Sequence, residues 1–502
     1  MTNERHVRSL PMLLDHPVLF KSLCYIDGRW THSDDAASIA VVDPADQSTL
    51  GHVPMLTREQ IGVAVDAAER AFSTWRWTPA AERCAALQRW HALIRQHAED
   101  LAVLLAHEQG KPLHEARGEI GYGASFIEWY GHEARRLDGR TITSHIEGAQ
   151  LGTVREPVGV AALITPWNFP FAMITRKAAA ALAAGCTVVV KPAHETPFSA
   201  LALAQLADEA GLPPGLFNVV LGEPDMAMRA LVGDARVRAV SFTGSTRVGQ
   251  RVAQAAAASG VKKLALELGG NAPFIVLDDV DIDEAVRIAV AAKFQTSGQD
   301  CCAANRIFVA RTRYGAFVDR YTQAVARLRV GPAFSANVDV GPLMHQAAFE
   351  ATAARVEDAR RKGAQITVGG EPHPLGGWFY RPTVVADAAP GMRIYDEENF
   401  GPISAVCAFD SLDEVVTRAN DTEYGLAAYV CGRRVDEIFT LIRRLDFAMV
   451  SVNGVKFTGA PVPFGGMKAS GLGREGGVDG FEPFTETKYF CLGNLGIPMH
   501  RT

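Results

Sequence analysis

Between residues 158 and 243, short apolar runs alternate with amphipathic stretches, and this alternation constrains the fold more than any other feature. Val158-Gly159-Val160-Ala161-Ala162-Leu163-Ile164 reads as a strand ending at Thr165-Pro166. The pattern then predicts a helix over Met173 to Ala184, a strand over Cys186 to Val190 and a helix over Pro197 to Ala210. Further strands are predicted over Phe217 to Val220 and Val237 to Phe242. Unbroken apolar runs mark strands covered on both faces, and helices between them mean parallel crossovers. The segment therefore reads as a doubly wound parallel α/β sheet. Ligands of such sheets bind beyond the strand C-termini. The polar punctuation sits there: Thr165-Pro166-Trp167-Asn168, Lys191-Pro192-Ala193-His194-Glu195 and Thr243-Gly244-Ser245.

At 502 residues the chain is too long for one ordinary core. Helices are expected over Arg58 to Thr74 and Ala80 to Glu108, where apolar residues recur at helical spacing. A second α/β texture starts near 264, with a strand at Pro273 to Leu277 and a helix at Ile282 to Phe294. Arg140 to Thr153 is polar and threonine-bearing, which suits a projecting hairpin, and the tail after Phe484 resembles it.

A net charge of −6 with scattered Lys and Arg gives no reason to expect nucleic acid or an anionic membrane as partner. No run of 18 apolar residues exists, so no transmembrane span is expected. The polar start Met1 to His6, and apolar stretches broken by Asp15, His16 and Lys21, lack a signal-peptide core. Eight cysteines without repeated spacing or paired CxxC ligands point to a reducing cytoplasm and away from structural zinc.

Chemistry concentrates in Gly298-Gln299-Asp300-Cys301-Cys302-Ala303, a small-residue loop carrying adjacent thiols. Glu267 precedes Gly269-Gly270, and a carboxylate near a thiol can act as general base on water. Asn168, between aromatic residues and prolines, offers an amide donor for an oxyanion. Gly244-Ser245-Thr246-Arg247-Val248-Gly249, between a strand and a helix, can cradle a phosphate. Lys191 could reach a ribose or phosphate. Alone, each has a plainer reading: an exposed turn glutamate, a cap, a simple turn, a solvated lysine. Together they suit thioester chemistry on an aldehyde, with a dinucleotide as oxidant.

The motifs Thr165-Pro166-Trp167-Asn168-Phe169-Pro170, Phe242-Thr243-Gly244-Ser245 and Leu266-Glu267-Leu268-Gly269-Gly270 lie in this chain beside Gly298-Gln299-Asp300-Cys301. Glu398-Asn399-Phe400-Gly401-Pro402 and Pro463-Phe464-Gly465-Gly466-Met467-Lys468 follow them. With these motifs, from Tyr25 to Lys488, the chain resembles the aldehyde dehydrogenase superfamily. Met173-Ile174-Thr175-Arg176-Lys177 and Lys191-Pro192-Ala193 make it most similar to the succinate-semialdehyde dehydrogenases. The resemblance implies a dinucleotide-binding domain (1–136 and 155–266), an α/β catalytic domain (267–466) and a small β oligomerisation element (137–154 and 484–502). It implies a homodimer or homotetramer, with NAD or NADP as cofactor.

By position, the resemblance makes Cys301 the nucleophile and Cys302 a neighbour. Asn168 would hold the oxyanion and Glu267 would activate water, with Lys177 and Glu475 relaying the proton. Thr165, Pro166, Trp167, Lys191, His194, Gly244, Ser245, Glu398 and Phe400 would contact the cofactor. Lys191 would meet the adenosine ribose, Ser245 the pyrophosphate and Glu398 the nicotinamide ribose. Arg176 matches an arginine that binds the distal carboxylate of a succinate-type substrate, and Gln295 stands where a second arginine is expected. Lys456, near Thr458, offers another cation, or is simply solvated. Asp300 resembles aminoaldehyde dehydrogenases and would favour a cationic substrate, or else points outward without a role. Ala303 replaces the cysteine needed for a regulatory disulfide. His194 stands where NAD-preferring members carry a glutamate, so NADP use at least comparable to NAD is expected. The expected reaction is oxidation of a semialdehyde, succinate semialdehyde first. An aminoaldehyde or aliphatic aldehyde is the alternative, and a non-catalytic scaffold the rival from another class.

Overall fold

The computed structural model describes residues 10–493. The polar start Met1 to His6 and the end of the expected oligomerisation tail, 494–502, lie outside the described residues. Three sheets carry the site's surroundings. The first runs in the order Gly471–Leu472, Lys263–Glu267, Val237–Thr243, Val160–Ile164, Thr187–Lys191, Phe217–Val219, Cys24–Ile26, Arg29–Thr31. Its five central strands are parallel, and antiparallel strands close both edges. The strands at Val160–Ile164 and Thr187–Lys191 are buried along their whole length, as their unbroken apolar runs require.

Helices α1 (Arg58–Trp75), α2 (Ala80–Gln96), α3 (Ala98–Gln109) and α4 (Leu113–Glu133) precede the sheet's crossovers. Thr57 and Gln60 close a capping box on α1. The single helix expected over Ala80 to Glu108 is two: the chain breaks at His97, whose φ of −103° and ψ of 23° leave the helical region. Its apolar periodicity runs through the break, so the pattern alone could not find it. The crossovers are α5 (Ala172–Ala184), α6 (Phe198–Glu209), α7 (Pro224–Val232) and α8 (Thr246–Ser259). Every residue of α5 is buried, its many alanines allowing close approach of α4 and the sheet.

The second sheet runs Gln365–Val368, Thr383–Ala386, Ile403–Phe409, Ala304–Ala310, Ala272–Val276, Ala427–Cys431, Met449–Val452. All of its pairs are parallel except the first. Helix α9 (Ile282–Phe294), capped by Asp281, fills the interval predicted for it. Sequence texture puts the start of this second region near 264, and that is corrected here: Lys263–Glu267 joins the first sheet, beside Val237–Thr243. An apolar run marks a strand but carries no sheet address.

The third sheet is small. Arg140–Ile142 and Gln150–Pro157 form the expected hairpin, and Thr485–Leu492 pairs with Gln150–Pro157 over eight residues. Glu267, at the end of its strand, and the loop before Ala304–Ala310 come from different sheets. The site therefore draws its residues from both sheets.

Candidate active site

α9 ends at Phe294, and the chain must turn sharply to enter Ala304–Ala310. Thr296 (φ 50°), Ser297 (φ 58°) and Gly298 (φ 71°) all take left-handed backbone. Only glycine suits the third position, because a Cβ there would lie 2.2 Å from the Gly401 carbonyl oxygen. Gln299 then fixes the loop: its Oε1 accepts the Met344 N–H at 2.9 Å. Its carbonyl accepts from Asn168 Nδ2 at 3.0 Å. Asp300 Oδ1 accepts the Cys302 N–H at 2.8 Å, and the Tyr429 hydroxyl donates to the Cys302 carbonyl at 2.8 Å.

These bonds leave Cys301 half-buried and Cys302 buried, both as free thiols. The two Sγ atoms and an Asp300 carboxylate oxygen lie within 4.8 Å of one another. Contact with Cys302 draws the Cys301 thiol down, but burial and the Asp300 and Glu398 carboxylates outweigh it and hold it above its ordinary range. Cys302 is pushed well above its ordinary range, by the Cys301 contact first and then burial. Exposure and acidity both favour Cys301 as the reacting thiol.

Glu267 ends its strand with both carboxylate oxygens buried and unpartnered. Burial, reinforced by Glu475, raises its pKa well above the carboxylate range, against the pull of Arg176, Lys177 and Arg474. The plain reading of an exposed turn glutamate is excluded. Glu475 accepts from Arg176 Nε at 2.6 Å, from Ser241 Oγ at 3.0 Å and from Lys177 Nζ. Lys177 Nζ also reaches Thr243 Oγ1 at 2.6 Å. Arg176 is 1 % exposed and lies over the Phe464 ring at 4.0 Å. Its Nη2 contacts Met173 Sδ at 3.1 Å, and its Nη1 has no acceptor among the described residues.

A cavity of about 260 Å³ opens beside Cys301, lined by Trp167, Asn168, Met173, Ser245, Glu398 and Phe400 among others. Trp167 and Phe400 meet edge to face at 5.4 Å. Ser245 caps α8, accepting from the Val248 N–H. A Cβ on Gly244 would enter the Phe242 ring at 2.6 Å, and one on Gly269 would lie 2.9 Å from Glu398 Oε2, so both glycines keep the cradle open. Glu398 Oε1 accepts the Gly270 N–H at 2.9 Å, and burial pushes this carboxyl up to about 7. Thr165 Oγ1, on the residue before Pro166, is buried and has no partner among the described residues. Lys191 is buried, its Nζ reaching the Pro192 carbonyl at 3.3 Å and no other acceptor among the described residues. His194 lies half-buried, 3.4 Å from Glu195. An open glycine cradle at a helix N-terminus, an underused buried ammonium and an aromatic wall fit a dinucleotide.

The structure does not bring every expected residue to the thiol. Gln295 and Lys456 are exposed, and Thr458 is half-buried. Phe457, between the latter two, packs in the same apolar cluster as Cys301 and Phe464. Three charged residues escaped sequence reading. Lys111 Nζ pairs with Glu119 at 2.6 Å, reaches the Asn168 carbonyl at 2.8 Å and lies 4.1 Å from the Phe169 ring centre. Glu119 Oε1 accepts the Phe171 and Ala172 N–H groups at the start of α5. Glu115 Oε2 accepts the Thr296 N–H at 2.9 Å, and burial pushes its carboxyl up to about 7. The signal available was two glutamates four apart on one apolar helix.

The chain matches the model described as "Aldehyde dehydrogenase family" over residues 30–490. It is 55% identical to the non-phosphorylating aspartate-semialdehyde dehydrogenase of Halomonas elongata, covering 95% of this chain and 97% of that protein. It is 45% identical to the succinate-semialdehyde dehydrogenase [NADP(+)] of Escherichia coli K12, covering 96% and 100%. Its structure aligns with the succinate-semialdehyde dehydrogenase of Burkholderia pseudomallei at a TM-score of 0.95, with 45% identity over 96% of this chain and 100% of the other. Fold, site and sequence agree: the chain belongs to the aldehyde dehydrogenase family.

Proposed function

We propose that the protein oxidises a short semialdehyde with a distal carboxylate to the corresponding acid, using NADP or NAD. One observation carries this reading. Arg176 Nη1 is a buried guanidinium donor without an acceptor, on a residue whose charge is felt at Cys301. One carboxylate, Glu475, faces both Arg176 and Lys177, and burial raises the Glu267 pKa well above the carboxylate range. The cluster therefore has cationic character left for a substrate carboxylate. The named substrates of the relatives above, aspartate and succinate semialdehyde, share that carboxylate.

Cys301 Sγ attacks the aldehyde carbon. The oxyanion is held by the Asn168 amide and by the Cys301 N–H, which has no acceptor among the described residues. The bound dinucleotide supplies the hydride acceptor. Ser245 and the α8 terminus would hold its pyrophosphate, Lys191 and Glu398 its riboses, and Thr165, Pro166, Trp167 and Phe400 the walls around it. Oxidation leaves a thioester on Cys301. Glu267 takes a proton from water, whose oxygen then attacks the thioester. Lys177 and Glu475 pass the proton outward. Loss of an acid at His194 admits a 2′-phosphate.

The three-stranded sheet leaves Tyr489, Phe490 and Leu492 exposed, which suits burial against a second copy in a dimer or tetramer. The domain division read from sequence, 1–136 with 155–266, 267–466, and 137–154 with 484–502, is the organisation we adopt. A cytoplasmic location suits the free cysteines. Among the described residues no helix is long and apolar enough to cross a membrane.

Turnover of succinate semialdehyde, 4-aminobutanal and butanal with both cofactors tests the reading. The carboxylate-bearing aldehyde should lead, and Arg176→Ala should lower its kcat/KM by at least about tenfold. An unchanged value removes the carboxylate clamp. An NAD specificity constant more than about a hundredfold above that for NADP contradicts the cofactor reading.

A further inference from the structure

Resting on the oxyanion reading of Asn168, we infer that Lys111, Glu115 and Glu119 are positioning residues: together they brace the two oxyanion donors, the Asn168 amide and the Cys301 N–H, at a fixed spacing. The two donors come from different parts of the fold. Asn168 follows the strand Val160–Ile164 of the first sheet, and Cys301 precedes Ala304–Ala310 of the second. Both residues line the cavity. Donors of this kind stabilise developing charge only while their geometry is held to within about 0.5 Å.

Helix α4 and the link before it grip both donors. Lys111 Nζ donates to the Asn168 carbonyl at 2.8 Å and to Glu119 Oε2 at 2.6 Å, and it faces the Phe169 ring at 4.1 Å. Glu119 Oε1 accepts the Phe171 and Ala172 N–H groups at 3.0 and 3.1 Å, where α5 has no side-chain cap of its own. The turn bearing Asn168 is therefore held at its carbonyl and at the helix start that follows it. One turn earlier on α4, Glu115 Oε2 accepts the Thr296 N–H at 2.9 Å, in the left-handed turn that leads to Cys301. The link before α4 also meets the backbone behind that turn. A Cβ on Gly341 would lie 2.3 Å from the Gly110 carbonyl oxygen, and the Gly341 carbonyl accepts from Ser297 Oγ at 3.0 Å. Asn168 Nδ2 closes the circuit on the Gln299 carbonyl at 3.0 Å. Lys111 and Glu119 are buried, and a buried ion pair adds little net stability over apolar residues of the same volume. What this pair adds is direction: each of its atoms points a bond at the backbone that carries Asn168.

Single-turnover formation of reduced cofactor in the full-length enzyme, with NADP and succinate semialdehyde, tests the brace. Lys111→Met/Glu119→Gln removes the pair without leaving one buried charge alone, and Glu115→Ala frees the Thr296 N–H. Each should slow the first turnover at least about tenfold, while NADP affinity and the rate of Cys301 alkylation by iodoacetamide stay within about threefold of wild type. Asn168→Ala should itself slow the first turnover at least about a hundredfold. With that donor gone the spacing no longer matters, so in the Asn168→Ala background each brace variant should add less than about threefold. Unchanged first turnovers in the brace variants, or slowing that multiplies in full with Asn168→Ala, overturn the brace and leave the oxyanion reading standing. A parallel loss of NADP affinity or of alkylation rate overturns the brace as well, because it marks general loosening of the site. An Asn168→Ala enzyme as fast as wild type overturns both. Should the double variant fail to fold, Glu115→Ala, which leaves the Lys111–Glu119 pair intact, decides by the same comparison.

Discussion

Arg176 donates from Nε to Glu475 Oε2 at 2.6 Å, so the guanidinium proposed to meet the substrate is anchored by the carboxylate that also holds Lys177. One acid thereby positions the cation for the substrate and sets the field on Glu267. Glu475→Ala should leave two buried cations without their counter-charge and cost about 3–5 kcal/mol of stability. Thermal unfolding checks this, and an unchanged Tm contradicts the shared-anchor role.

Burial, and after it the same carboxylate, raises the pKa of Glu267. Glu267 must lose its proton to activate water, so turnover should rise with pH through an acidic limb lying above the ordinary carboxylate range. Glu475→Gln removes a negative charge that disfavours ionised Glu267, and the limb should move to lower pH. A pH profile of kcat in both proteins reads the shift. Movement to higher pH is inconsistent with the field described.

Gly465 leaves room for Glu267: a Cβ there would lie 2.6 Å from Glu267 Oε1. Gly465→Ala should displace the carboxylate and slow steady-state turnover about a hundredfold, while the first equivalent of reduced cofactor still forms quickly. Stopped-flow absorbance separates the two phases. A slowed first turnover with normal steady-state balance would place the damage at Cys301 instead.

The thiol pair gives opposite shifts on either side of Cys301. Asp300 raises the Cys301 pKa and the Cys302 contact lowers it. The pH dependence of Cys301 alkylation by iodoacetamide should move to lower pH in Asp300→Asn and to higher pH in Cys302→Ala. Shifts of the same sign in both variants contradict the arrangement.

Much of this site was legible because its parts lie where short signals end. Asn168 and Cys301 follow a predicted strand and a predicted helix, and Glu267 stands just before Gly269-Gly270; Pro and Gly nearby fix these turns locally. Lys111, Glu115 and Glu119 were not legible in that way. Glu115 meets Thr296 across 181 residues of chain, and no local pattern reports such a contact. The open state of Arg176 Nη1 was equally hidden, because it depends on how Glu475 takes only one edge of the guanidinium. Texture alone put the start of the second region near 264, and only the assembled sheet reveals that Lys263–Glu267 lies beside Val237–Thr243.

In the proposed mechanism Cys301 carries the acyl group and Glu267 releases it. Glu267→Gln enzyme mixed with NADP and succinate semialdehyde, quenched in acid and digested, tests this by peptide mass spectrometry. About one equivalent of reduced cofactor per active site and an acyl mass on Cys301 are expected. Multiple turnovers with no adduct, or an adduct on Cys302, would contradict it.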